Sequence, residues 1–254
     1  MVYRVGVPTM PVRGTKKSYI TVANVKWLEQ GGMEVVPIPV NTPLREVRAL
    51  CKGLSGIFLQ GGPHFDRQYV RLVRTLLEVS VINRLPVWGT CHGFQMLILL
   101  IGGRRQLESM AGMIQRRAVL KEFDTKDSVL YSTATKAEKA RLHKMGGVPF
   151  SHELGITLKE FLRSKMLCHV FRPLTTTKDA YGTEYVSSIE GRVIPFWGVQ
   201  FHPELDKHLD WMATFFKDQM KPSEPIENHS DLPTKAKACP LAWQEGLVMC
   251  YEFT

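Results

Sequence analysis

No stretch of the 254-residue chain is apolar for long enough to cross a bilayer. The longest mostly apolar run, Phe94 to Ile101, falls far short of the about 20 residues a spanning helix needs, so a membrane partner is not expected. A secretory leader pattern is missing too, because Tyr3 to Val7 already reads as a core strand. As the sequence stands, the expected compartment is the cytoplasm, with a lysosomal or secreted location as the alternative if a leader has been removed. The five cysteines, Cys51, Cys91, Cys168, Cys239 and Cys250, lack the paired spacing of a zinc site, and an odd number cannot all pair within one chain. A reducing compartment fits this, while a Cys239 to Cys250 bridge stays open in an oxidising one. Basic residues exceed acidic ones, giving a net charge of +9, yet no basic tract is interleaved with aromatics, so nucleic acid is not an expected partner. The pairs Lys16-Lys17, Arg104-Arg105 and Arg116-Arg117 read as solvated surface. Internal repeats and low-complexity segments are also lacking.

What is present is the balance of a folded α/β protein, with 44% hydrophobic and 22% charged residues. Short β-rich runs alternate with helical patterns. Tyr3 to Val7 is followed by a helical stretch from Tyr19 to Glu29, then Met33 to Ile38, then a helix from Pro43 to Cys51. Such alternation predicts βαβ units around an open, mostly parallel sheet flanked by helices. Gly31-Gly32 stops the first helix. A third strand, Gly56 to Leu59, runs into Gly61-Gly62-Pro63. A helix from about Arg67 to Ser80 precedes a fourth strand, Pro86 to Trp88, which ends at Gly89-Thr90-Cys91. Both loops lie at carboxyl ends of strands, the edge at which open α/β sheets bind ligands. From Gly102 to Gly147 the pattern is polar and weakly periodic, giving only peripheral strands and a connecting loop. Glu184 to Ile189 and Phe196 to Val199 read as strands, and Leu209 to Met220 as a closing amphipathic helix. Residues 1–220 therefore read as one domain. The tail 221–254, with Pro222, Pro225, Pro233 and Pro240, is expected to wrap that same domain.

Two segments carry chemistry. In Gly89-Thr-Cys-His-Gly-Phe-Gln95 a cysteine sits between a strand and a very apolar helix, with glycines two before and two after it. A sharp turn of this kind is a nucleophile elbow, pushing the Cys91 side chain above the sheet. The helix amino terminus beneath it favours thiolate, and the next backbone N–H, that of His92, is placed to donate to an oxyanion. In Gly198-Val-Gln-Phe-His-Pro-Glu204 a strand exits into His202, with a carboxylate two residues on. Pro203 is expected to hold its neighbours extended, so that Glu204 orients the His202 imidazole. Either segment alone has an ordinary structural explanation. Together, at two predicted sheet edges, a thiol and an imidazole point to nucleophilic catalysis.

This pair of motifs resembles the class I glutamine amidotransferase superfamily, whose flavodoxin-like three-layer sandwich and Cys-His-Glu triad the resemblance implies, the triad falling on Cys91, His202 and Glu204. Within that superfamily the stretches Tyr19 to Pro37, Phe58 to Asp66, Val87 to Phe94, Ser151 to Phe161 and Ile189 to Glu204 are similar to γ-glutamyl hydrolases. The resemblance implies further roles. Gly61-Gly62 matches a glycine loop in which one backbone N–H, assigned to Gly62, completes an oxyanion hole with His92. Gly61 lines the substrate side, and His152, in Ser-His-Glu-Leu-Gly155, matches a histidine facing the substrate cleft. Human-type γ-glutamyl hydrolases carry Leu and Glu at the elbow positions occupied here by His92 and Gln95. Gln95 is closer to glutamine amidotransferases and to hydrolases of small γ-glutamyl amides, where that side chain touches the substrate amide.

The expected activity is thus thiol-dependent cleavage of γ-glutamyl bonds, through a γ-glutamyl thioester and with no cofactor or metal. The expected small-molecule partner is a folyl poly-γ-glutamate. A glutaminase, or a hydrolase of small γ-glutamyl amides, is the alternative. Because no synthetase region follows residue 254, an amidotransferase would need a separate acceptor of ammonia. A homodimer is left open.

Overall fold

The computed structural model of the chain describes residues 1–63, 65–103, 107–144, 146–223, 238–243 and 246–253. The Arg104-Arg105 pair lies outside the described residues. In the first hundred residues, strand β1 (Arg4–Pro8) leads to β2 (Met10–Pro11), β3 (Ser18–Thr21), helix α1 (Val22–Gln30), β4 (Glu34–Ile38), α2 (Leu44–Leu50), β5 (Gly56–Leu59), α3 (Arg67–Asn83), β6 (Val87–Thr90) and α4 (His92–Gly102). Period-2 alternation decides which way each strand side chain faces. Phe58 and Trp88 point to one face, where they meet Trp27 of α1. Ile57, Leu59 and Val87 point to the other, against Leu72, Val73 and Leu76 of α3 and Phe94 and Leu97 of α4. With both faces covered, strands must be apolar throughout, and β5 and β6 are buried at every position.

The rest of the chain adds β7 (Glu108–Ser109), β8 (Arg116–Ala118), β9 (Lys121–Glu122), α5 (Val129–Thr133), α6 (Lys136–His143), β10 (Val148–Phe150), β11 (Leu154–Gly155), α7 (Leu158–Arg163) and α8 (Lys165–Val170). Then come β12 (Phe171–Lys178), β13 (Glu184–Gly191), β14 (Phe196–Val199), α9 (Trp211–Asp218), β15 (Ala238–Trp243) and β16 (Gly246–Phe253). The main sheet has eight strands in the order β4-β1-β5-β6-β14-β13-β12-β9. Neighbours from β4 through β14 run parallel, and β13, β12 and β9 continue the sheet antiparallel. Phe215 and Phe216 of α9 close the face that holds Trp88. Among the described residues no helix is long and apolar enough to cross a membrane.

Several sequence expectations need correction. The first helix begins at Val22, not Tyr19: Tyr19 and Ile20 belong to β3, which pairs with β2 and β16, and Thr21 caps the helix by accepting from the Asn24 N–H. An aromatic and a β-branched residue before a capping threonine favour that strand over another helical turn. The closing helix is shorter than Leu209 to Met220, because Asp206 accepts from the His208 N–H and winds Lys207–Leu209 into a separate 3₁₀ turn. In the tail, β15 and β16 form an antiparallel pair that extends the β3-β2 sheet, with Pro240 in the outermost strand, where a missing N–H costs least.

The segment 102–147, expected to give only peripheral strands and a connecting loop, also holds α5 and α6, and it is tied to the main sheet by β9 and by a buried carboxylate. Glu190 of β13 accepts from Ser128 Oγ at 2.9 Å, from the Val129 and Leu130 N–H groups at 3.0 and 2.9 Å, and from Trp197 Nε1 at 3.2 Å. It thereby satisfies the amino-terminal N–H groups of α5 as a cap would.

Candidate active site

Cys91 occupies the turn between β6 and α4 with φ 52 and ψ −104, a backbone region that L-residues rarely adopt. The flanking glycines permit this turn. A Cβ on Gly93 would lie 2.1 Å from Leu59 O, and one on Gly89 would lie 2.7 Å from the backbone of Gly93, so the helix can start this close to the sheet only if both are glycine. The Cys91 N–H donates to Val199 O at 2.8 Å, which fixes the turn to the neighbouring strand β14. Its Sγ lies 3.8 Å from Ser151 O.

His202 follows β14 and is fixed by donation of its N–H to Pro149 O at 2.8 Å. Its Nδ1 pairs with Glu204 Oε1 at 2.7 Å, both side chains being almost wholly buried. The pairing arises differently from the extended geometry expected of Pro203. Pro203–Leu205 forms a 3₁₀ turn with the proline at its first position, and this winding brings the carboxylate back to the ring. Burial works against a charged imidazole here, but Cys91 and the Glu204 carboxylate outweigh it and hold the His202 pKa well above the ordinary histidine value.

His152 is 7% exposed. Its Nδ1 lies 3.0 Å from Leu154 O; because a carbonyl only accepts, Nδ1 carries the proton. Burial and the neighbouring charge of His202 push its pKa down to about 3, opposed by the Leu154 bond. The ring is therefore neutral, with a lone pair at Nε2 that has no hydrogen-bond partner among the described residues. A neutral ring of this kind accepts hydrogen bonds and offers no positive charge to a carboxylate.

These groups share one cavity of about 520 Å³, lined by Cys91, His202, Glu204, Gly61, Gly62, Gln95 and His152 among others. Gly61 lies between the catalytic candidates: a Cβ there would sit 3.1 Å from His202 Cε1 and 3.5 Å from Cys91 Cβ. Gly62 instead packs against Met10, whose Cε would be 2.3 Å from an added Cβ. Gln95 donates from Nε2 to Leu154 O at 2.8 Å. The His92 side chain faces away from the cavity, its ring 4.6 Å from that of Phe65 and 5.6 Å from that of Tyr69. Its backbone N–H belongs to the first turn of α4, where helical N–H groups lack intrahelical acceptors. Sequence reasoning missed Asn24, Phe65, Gln115, Arg116 and Arg117, all of which line the same cavity. Phe65 lies inside a stretch similar to the γ-glutamyl hydrolases, which was a usable signal; the two arginines carried none beyond their charge. Among the described residues no group of three or more His, Cys, Asp or Glu could hold a metal ion.

A thiol on a strained elbow after β6 and an imidazole–carboxylate pair beyond the end of the adjacent strand β14 thus line one cavity of an open α/β sheet. The model of the class-I glutamine amidotransferase family matches residues 17–221, and the chain belongs to that family. Within it, the chain is similar to named γ-glutamyl hydrolases. It is 30% identical to that of Homo sapiens over 73% of this chain and 60% of the relative, and 26% identical to γ-glutamyl hydrolase 1 of Arabidopsis thaliana over 75% and 57%. The chain thus spans about 60% of the length of the curated relatives it matches. Two solved structures share the fold. One is a putative GMP synthase protein from Thermoplasma acidophilum (TM-score 0.60, 17% identity, 86% of this chain and 94% of that one). The other is the CTPS glutaminase domain of Trypanosoma brucei with bound acivicin (TM-score 0.61, 13% identity, 88% and 97%).

Proposed function

We propose that the chain hydrolyses γ-glutamyl bonds through a thioester on Cys91, with folyl or antifolyl poly-γ-glutamates as the favoured substrates. The observation that carries the reading is the strained Cys91 elbow opening on the same cavity as the His202–Glu204 pair. Cys91 attacks the γ-carbonyl. The N–H groups of Gly62 and His92 receive the oxyanion, and protonated His202 delivers its proton to the leaving amine. Water then attacks the thioester with His202 as base, and Glu204 stabilises the charged ring in both halves. Neutral His152 accepts a hydrogen bond from a substrate N–H through Nε2. Acyl transfer to a thiol needs neither metal nor organic cofactor.

The second reading is a glutaminase or a hydrolase of small γ-glutamyl amides, and Gln95 favours it by presenting a side-chain amide to the cavity. Parallel incubation with pteroylpentaglutamate, γ-glutamyl-aminobutyrate and glutamine, with products identified by mass, separates the two. Release of glutamate or shorter γ-glutamyl chains from the pteroyl substrate is expected; ammonia from glutamine alone would overturn the substrate. Mass analysis of the protein trapped during turnover tests the chemistry, and an adduct on any residue other than Cys91 would remove the nucleophile.

A further inference from the structure

The residue that this reaction leaves unused is Arg116. It opens β8 opposite Phe150, whose strand leads directly into Ser151 and His152 of the cavity. Gln115, just before it, is one of three described non-glycine residues with positive φ (47°), so the backbone is held in an uncommon conformation at the cavity wall. Arg116 and Arg117 both line the catalytic cavity, and both also line a second cavity of about 900 Å³.

The two arginines are in different states. Arg117 is committed, donating to Gly146 O and Gly147 O at 3.0 and 2.7 Å and pairing with Asp206. Arg116 reaches only Gly112 O at 3.5 Å and Met113 Sδ at 3.8 Å, and among the described residues no carboxylate lies within ion-pair distance of it. Beyond it the second cavity presents Lys178, with Lys121 already paired to Glu184. Its two carboxylates are occupied, Glu184 by Thr176 at 2.6 Å and Lys121 at 3.4 Å, and Glu122 by Thr125 at 3.0 Å and His143 at 3.3 Å. On the catalytic side the exposed Glu153 is the one acidic lining residue besides Glu204, which His202 holds. A guanidinium with five donors and no acidic partner thus stands at the junction of two cavities, the first of which contains the thiol.

We propose that Arg116 is a specificity-determining residue. It takes the α-carboxylate of a glutamyl unit beside the scissile bond, and the second cavity receives the polyanionic remainder of a γ-linked chain. This rests on the γ-glutamyl reading above. The consequence is a preference for long anionic tails over a single unit, set at a ridge outside the reacting atoms.

The test is calorimetric titration of the full chain carrying Cys91→Ala, which cannot turn over substrate, with penta-γ-glutamate and with γ-glutamyl-glutamate. The pentamer should bind more tightly than the dimer. Adding Arg116→Gln should weaken the pentamer by about tenfold, the order expected of one charge-assisted contact, and Arg116→Lys should recover part of that loss. Equal affinities for pentamer and dimer, or an Arg116→Gln protein with unchanged pentamer affinity and an unchanged melting temperature, would overturn the assignment. Hydrolysis by the intact protein separates the two levels. Turnover of γ-glutamyl bonds without any length preference removes the groove and leaves the hydrolase reading. Arg116-dependent binding of the pentamer by a protein that cleaves no γ-glutamyl bond removes the hydrolase reading and leaves the groove.

Discussion

Replacing His152 by Asn should make the protein less sensitive to acid. In the folded chain burial holds the His152 pKa at about 3, whereas the unfolded chain has the ordinary value of 6.5. Between those two values the unfolded state binds a proton that the folded state refuses, so stability falls as pH falls below 6.5 and is fully present above it. At one pKa unit per about 1.4 kcal/mol, the loss accumulated by pH 5 is about 2 kcal/mol. In a chain of this size that corresponds to a melting temperature lower by about 4–8 °C. Asn at this position keeps an N–H to donate to Leu154 O but carries no titrating group. The measurement is thermal unfolding of both proteins at intervals from pH 7.5 to pH 5. The difference between them isolates His152 from other groups, and the raised pKa of His202 acts in the opposite window: the stability it adds is present below pH 6.5 and lost as pH rises through its folded value. Two curves that stay parallel from pH 7.5 to pH 5 would refute a neutral, buried His152.

Three further substitutions test other links. Glu204→Gln removes the negative charge that helps hold His202 protonated, so the alkaline limb of the pH–rate profile should move to lower pH and kcat/KM on a γ-glutamyl substrate should fall by about 10³- to 10⁴-fold; an unshifted limb would contradict the pairing. Gly93→Ala drives a Cβ to 2.1 Å from the backbone oxygen of Leu59, which no side-chain rotation can relieve, and should cost about 3 kcal/mol in urea unfolding, more than Gly62→Ala, whose added methyl meets the buried but unbranched side chain of Met10 rather than backbone. Glu190→Ala strands the buried donors of Ser128, Leu130 and Trp197 and should destabilise by about 3 kcal/mol, with segment 102–147 losing amide-exchange protection first.

The parallel half of the sheet was legible because its strands are short, mostly apolar runs, as burial on both faces requires. Gly56–Leu59 and Phe196–Val199 coincide with the expected strands. The site was legible for a related reason: Gly89 and Gly93 flank Cys91 because two backbones meet there, and that steric demand appears directly as residue type. What sequence could not supply depends on contacts between distant segments. The elements of residues 102–147 are two to eight residues long, and several are held by long-range partners such as Glu190, which no local period reports. Even there one signal went unused: Thr135 and Glu138 form a reciprocal capping box that marks the start of α6. Arg116 and Arg117 were read as solvated surface because adjacency in sequence says nothing of which cavity a peripheral ribbon borders.

Cys91 and His202 lie just beyond the ends of the adjacent strands β6 and β14, yet more than a hundred residues of chain separate them, so their meeting depends on a pairing between distant segments. Closing so long a loop is among the slower events of folding. Under the thioester reading proposed above, the pairing of β6 with β14 is what sets the thiol and the imidazole on one cavity, so the site is complete only when the order of strands is complete.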